Sequence, residues 1–208
     1  MNEIVEKNIT CPPLELPYDV SNRKSSKAVC WLMQRNGLED PEKSVLYETN
    51  KLLEEYGGYV PPLSIEKIAS LRRIIRIEEV SMDSFADLLI PLDGGFVLKV
   101  NNTLPSQYKR FWSAHGISHT FFYDMKLPRP TTHVDDTAPL YRDFMLEDLC
   151  HIAACEMLAP LPIFKKELNK IMNSDSTQDV VAELADVFMV PKEVIEHRMV
   201  YAKRVDER

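Results

Sequence analysis

His115 and His119 stand four residues apart in RFWSAHGISHTFFYD, residues 110–124. The apolar spacing of that stretch predicts an amphipathic helix, and four residues is about one helical turn, so both imidazoles share a face. Two imidazoles so placed can offer a divalent metal two nitrogen ligands. The same pair can instead be satisfied by carboxylates or carbonyls, so the spacing leaves both readings open. A second apolar, alanine-rich stretch, FMLEDLCHIAACEMLAP over 144–160, predicts another helix with Glu147 near its start. Glu147 can supply a third ligand from this separate helix and leave a fourth position for water. Together with Asp148 it can equally be a solvated helix start, where carboxylates suit the macrodipole.

In the helical frame H-E-x-x-H, two histidines bind zinc and the glutamate after the first takes a proton from zinc-bound water. Here the frame reads H-G-I-S-H, and Gly116 stands where that general base would be. Glycine inside a helix costs about 1 kcal/mol against alanine, so helix formation does not call for it. Losing a general base typically costs about 10²–10⁴-fold in rate, although a bound metal would still polarise a carbonyl. The residues describe a metal site with poor hydrolytic equipment. Zinc with two neutral imidazoles and one carboxylate carries a net charge of about +1. A pocket enlarged by the missing side chain is therefore expected to favour an anion or a carboxylate-bearing ligand.

RFWSAHGISH resembles the R-F-T-x-A-H-E-x-x-H helix of the ImmA/IrrE-type zinc metallopeptidases, and EDLCHIAACEMLAP resembles their E-x-x-A-N-x-F-A-A-E-L-L-M-P helix. PPLSIEKIASLRRIIRIEEV is similar to the short helix and first strand that open that domain, and GGFVLKVNNTLPSQYKRF to the strand and turn that feed the histidine helix. The resemblance covers roughly Val60 to Arg204. It implies an α+β, zincin-like domain, zinc ligands at His115, His119 and Glu147, and Gly116 in the place of the catalytic glutamate. His151 falls where the family more often has Asn or Asp, a residue that commonly steadies a ligating histidine. It can accept from a histidine, donate to Glu147, or be a core histidine.

Two functions of different class follow. One is a zinc-binding, peptidase-like module impaired in hydrolysis, which binds a peptide or protein such as a transcriptional repressor. The other is an active zinc endopeptidase that cleaves a repressor-like protein with a substitute base. For such a base the place to look is the loop LPRPTTHVDDTAPL, residues 127–140, which carries His133, Asp135 and Asp136; those residues can also be plain loop solvation.

The elements that would position these groups fall into three parts: an arm and helices over 1–59, a metallopeptidase-like core over 60–163, and a C-terminal helical segment over 164–208. In the first, 25–36 reads as a helix closed by Gly37 and 41–56 as a second ended by Gly57-Gly58. In the core, Ser64 can cap a short helix. Strand character at 76–80, 87–92 and 95–101, with a turn at Asp93-Gly94, predicts a small antiparallel sheet. Phe96, Val97, Leu98, Lys99 and Val100 are either an exposed edge that receives an extended peptide by main-chain pairing or an ordinary interior strand. The last part predicts helices over 164–172, 177–188 and 191–204, with Ser174-Asp175-Ser176 as an N-cap cluster; VVAELADVFMVPKEVIEHRM resembles the terminal helical segment of the same family, which implies a helix-turn-helix-like final pair. Glu193 and Glu196 are interspersed with Lys192, Arg198, Lys203 and Arg204, so no clean basic face forms, and packing or oligomerisation is expected rather than DNA binding.

Composition narrows the classes further. The formal net charge is −7 over 208 residues, which argues against a general nucleic-acid or anionic-membrane surface. No apolar run is long enough to span a bilayer, and MNEIVEKNIT lacks the regions of a signal peptide. A soluble, cytoplasmic protein is expected. The cysteines Cys11, Cys30, Cys150 and Cys155 form no C-x-x-C pair and are read as reduced thiols. Cys150 follows Glu147 by three positions and can approach a metal, but a small apolar packing residue is the expected role.

Overall fold

Residues 14, 16–17, 20, 25–58, 60–83, 85–132, 144–173 and 179–207 are described by a computed structural model of the chain. His133, Asp135, Asp136, Cys11, Ser174-Asp175-Ser176 and most of the N-terminal arm lie outside the described residues.

The first three helices open on side-chain caps. Ser26 and Asp40 accept from the backbone N–H groups of Val29 and Lys43 to open α1, Lys27–Asn36, and α2, Pro41–Tyr56. Gly37 at φ 65° and Gly57 at φ 70° close them in the left-handed conformation that glycine adopts at least cost. Ser64 caps α3, Ile65–Leu71, through the N–H of Lys67. Three strands follow: β1, Ile74–Val80; β2, Asp87–Leu92; and β3, Gly95–Asn101. α4, Ser106–His119, runs into a 3₁₀ turn at Thr120–Phe122, and the two-residue strands β4, Tyr123–Asp124, and β5, Thr131–Thr132, pair with each other. Four helices complete the described chain: α5, Phe144–Leu158; α6, Leu161–Met172; α7, Val180–Phe188; and α8, Lys192–Asp206. The fold is α+β, as expected.

The sheet corrects one expectation and decides between two alternatives. It is mixed rather than antiparallel: its order is β1-β3-β2, with β1 parallel to β3 and β2 antiparallel to it. Phe96–Val100 therefore lies on the central strand, paired on both sides, with Ile77 and Leu89 both opposite Leu98. Its main-chain groups are committed, and no edge is left there for a peptide. The physical marker is Pro91. A proline offers no N–H to a ladder and sits at sheet edges, which assigns β2 to the outside.

One hydrophobic cluster runs from Val20 through the sheet to Ala202. α5 is its axis, packed by α2, α4 and α8. Leu149, Cys150, Ala153, Ala154, Cys155, Met157 and Leu158 are all fully buried, and the small side chains among them let neighbouring helices approach closely. One charged pair enters this core: Glu156 of α5 meets Arg198 of α8 at 2.6 Å.

Candidate metal centre

α4 brings both histidines to α5, and its far end is pinned by Thr120. The Thr120 hydroxyl donates to the carbonyl of Ile117 at 2.6 Å and accepts from Arg72 Nε at 2.8 Å. Buried hydroxyls along α4 turn back to the helix itself: Ser113 donates to Lys109 and Ser118 to Ala114. The helix thus needs no water on its inner face near the histidines.

His115 is 1% exposed. Its Nδ1 lies 3.2 Å from each carboxylate oxygen of Asp87, the first residue of β2. A carboxylate there accepts the Nδ1–H, fixes the tautomer, and leaves Nε2 to present its lone pair on the other side of the ring. That Nε2 is 3.5 Å from Glu147 Oε2, and His119 Nε2 is 3.9 Å from Glu147 Oε1. The two imidazole centroids are 4.8 Å apart, nearly perpendicular. The sequence-expected trio is brought together. His151, one turn beyond Glu147, has its ring 4.6 Å from that of His115 and lies against Phe111 and Trp112 at 5.9 and 5.6 Å.

Sequence reasoning gave one residue of this group a packing role and passed over another beside it. Cys150 is fully buried, and its sulfur joins the ligand atoms of His115 and His119 in a group all within 4.8 Å of one another, a group that can hold a metal ion. The three-residue step from Glu147 places both on one face of α5, a signal that was legible. Asp87 is the other. Its one sign in sequence was an acidic residue heading an otherwise apolar strand, DLLIPL; its contact with a residue 28 positions away was not readable.

The enlarged pocket expected at Gly116 is absent. A Cβ built there would lie 2.3 Å from Leu98 Cδ1 and 2.8 Å from Asp87 Oδ2. The leucine of β3 and the carboxylate of β2 fill the space a glutamate stem would need. Asp87 also changes the charge count: it adds one negative charge to the ensemble of ion, two imidazoles and Glu147, and takes the expected sum from about +1 to about zero. The basis for favouring an anion is removed.

The donor set fits a metal. Bonds of about 2.0–2.3 Å in a tetrahedral site put neighbouring donors roughly 3.3–3.8 Å apart; His115 lies 3.5 Å from one oxygen of Glu147 and His119 3.9 Å from the other, close to that spacing. Nitrogen, carboxylate and thiol donors suit zinc and other first-row divalent ions. No helix among the described residues is long and apolar enough to cross a membrane. No protein-family model and no curated protein sequence matches the chain.

Proposed function

We propose that the chain is a zinc-binding, peptidase-like domain of the ImmA/IrrE type that has lost efficient hydrolysis and serves as a binding or regulatory module for a peptide or protein. The observation that carries this reading is the pairing of a convergent ligand set with a blocked base position: His115, His119 and Glu147 face one another, while Leu98 and Asp87 crowd Gly116. Zinc held there would supply Lewis acidity. The chain's own residues would orient the ligands, through the Asp87 carboxylate on His115 Nδ1, but Gly116 offers nothing that takes a proton. Asp87 does not replace the lost base, because it faces the ring nitrogen turned away from Glu147.

A peptide partner would add along an edge of the sheet, and β2 is the edge tied to the histidines through Asp87. Nucleic acid fits poorly as the partner. The cations of α8 are engaged within the fold: Lys192 with Asp179, Arg198 with Glu156, Arg204 with Glu42.

The test is elemental analysis of protein purified without chelator or added metal, beside a His115→Ala, His119→Ala double variant, with both assayed for cleavage of unfolded protein. Near-stoichiometric zinc that disappears in the double variant, with cleavage at background in both, is the expected result. Zinc-dependent cleavage by the wild type would overturn the loss of hydrolysis, and absence of metal from both would overturn the metal domain.

A further inference from the structure

We infer that Cys150 is a fourth protein ligand, and that the centre is a closed structural site tying α4 to α5 rather than an open one with a position for water. The inference rests on the metal-domain reading above and deepens it. Catalytic zinc sites keep three protein ligands and one exchangeable position, whereas structural sites are four-coordinate with protein donors alone. Here the sulfur of Cys150 is already in the group with both imidazoles, all within 4.8 Å; Glu147 stands outside that group but reaches the two imidazoles at 3.5 and 3.9 Å from three residues earlier on the same helix face. These four side chains come from two helices that pack directly against each other, so metal binding would fasten α4 and α5 across the core.

Burial separates an inner from an outer half of the site. Cys150 and His115 are excluded from solvent, while the side chains of His119 and Glu147 are 21% and 25% exposed, and the space beside the inner pair at Gly116 is taken by Leu98 and Asp87. Neither a base nor room for one is present on that side. The cavity of about 450 Å³ lined by Leu46, Leu53, Leu161, Ile163 and Tyr201, and the cleft of about 590 Å³ along β1, include none of the four donors. Charge also leaves no call for an added anion. On binding, the S–H bond of Cys150 breaks, the sulfur–metal bond forms and the proton leaves to solvent. A divalent ion with one thiolate and one carboxylate is neutral, and Asp87 on His115 Nδ1 takes the wider ensemble to about −1.

Cobalt(II) loading of the full-length chain tests this directly. Stoichiometric cobalt with a thiolate-to-cobalt charge-transfer band in the near ultraviolet is expected. The band should vanish in Cys150→Ser, checked for native circular dichroism, and persist in Cys155→Ala. Zinc affinity of Cys150→Ser should fall about 100-fold, at the upper end of the 10–100-fold that losing even an outer-sphere partner costs. Zinc-edge X-ray absorption on the wild type needs no variant, and should show one sulfur at about 2.3 Å. Bound metal without a sulfur shell or thiolate band, or a band that survives Cys150→Ser, overturns the closed site and leaves the metal domain standing. Failure of the wild type to bind either ion overturns both.

Discussion

Gly116 and Leu98 share one volume, and their competition decides what can stand at position 116. Alanine there gains about 1 kcal/mol of helix propensity. Its Cβ, however, would meet Leu98 Cδ1 at 2.3 Å inside a strand whose side chain is fully buried. Overpacking of that kind costs about 1–3 kcal/mol. The expected result for Gly116→Ala is a net loss of about 1 kcal/mol in urea unfolding. In a Leu98→Ala background the same change should become neutral or stabilising, with a coupling of about 1–2 kcal/mol between the sites. Equal costs in the two backgrounds would show that the crowding is not what excludes a side chain. Gly116→Glu meets the same obstruction with a longer stem and should destabilise the fold without conferring zinc-dependent hydrolysis, as an assay of cleavage of unfolded protein would show.

Elements are held to one another by few, specific polar contacts, and α8 shows two of them. Arg198 pairs with Glu156 of α5 in the core, and Glu156 Oε1 also accepts from Leu161 N–H at 3.1 Å, fixing the start of α6. Arg198→Met should cost about 3–5 kcal/mol, because it leaves a buried carboxylate without its cation. Adding Glu156→Gln should recover most of that loss, since the amide oxygen still serves Leu161; a double variant as unstable as the single would place the cost in packing instead. Next to it, His197 donates from Nε2 to the carbonyl of Pro17 at 3.0 Å. Burial above all lowers its pKa from 6.5 to about 4, with Arg198 and Arg204 adding to the effect. A histidine depressed in the folded state leaves stability intact above pH 6.5. Between about 6.5 and 4 the unfolded chain binds a proton that the folded chain does not, so stability falls as pH falls, by about 3 kcal/mol in all. Comparing the wild type with His197→Gln across that window should show the extra loss only in the wild type. Helix starts and stops were readable because caps act within four residues: Ser64, Gly37 and Gly57 each stand where local geometry requires them. The central position of β3 and the reach of Asp87 were not, because each depends on a partner far along the chain, although Pro91 carried half of the sheet order.

For the whole molecule, the proposed metal centre matters because of where its residues lie. His115 and His119 are on α4, Glu147 and Cys150 on α5, and these helices connect the sheet to the rest of the hydrophobic cluster. An ion bound only by the folded chain adds stability as RT ln(1 + [L]/Kd), about 2.7 kcal/mol at 100 Kd and about 4.1 at 1,000 Kd. In a chain of 208 residues, 1 kcal/mol moves Tm by about 2–4 °C. Chelation should therefore lower the melting temperature of metal-loaded protein by about 5–15 °C, reversibly on adding zinc. The His115→Ala, His119→Ala variant should melt at one temperature with or without chelator. A bound ion whose removal leaves Tm unchanged would be an ion held at the surface of the fold, since nothing that fastens two core helices can depart without loosening them.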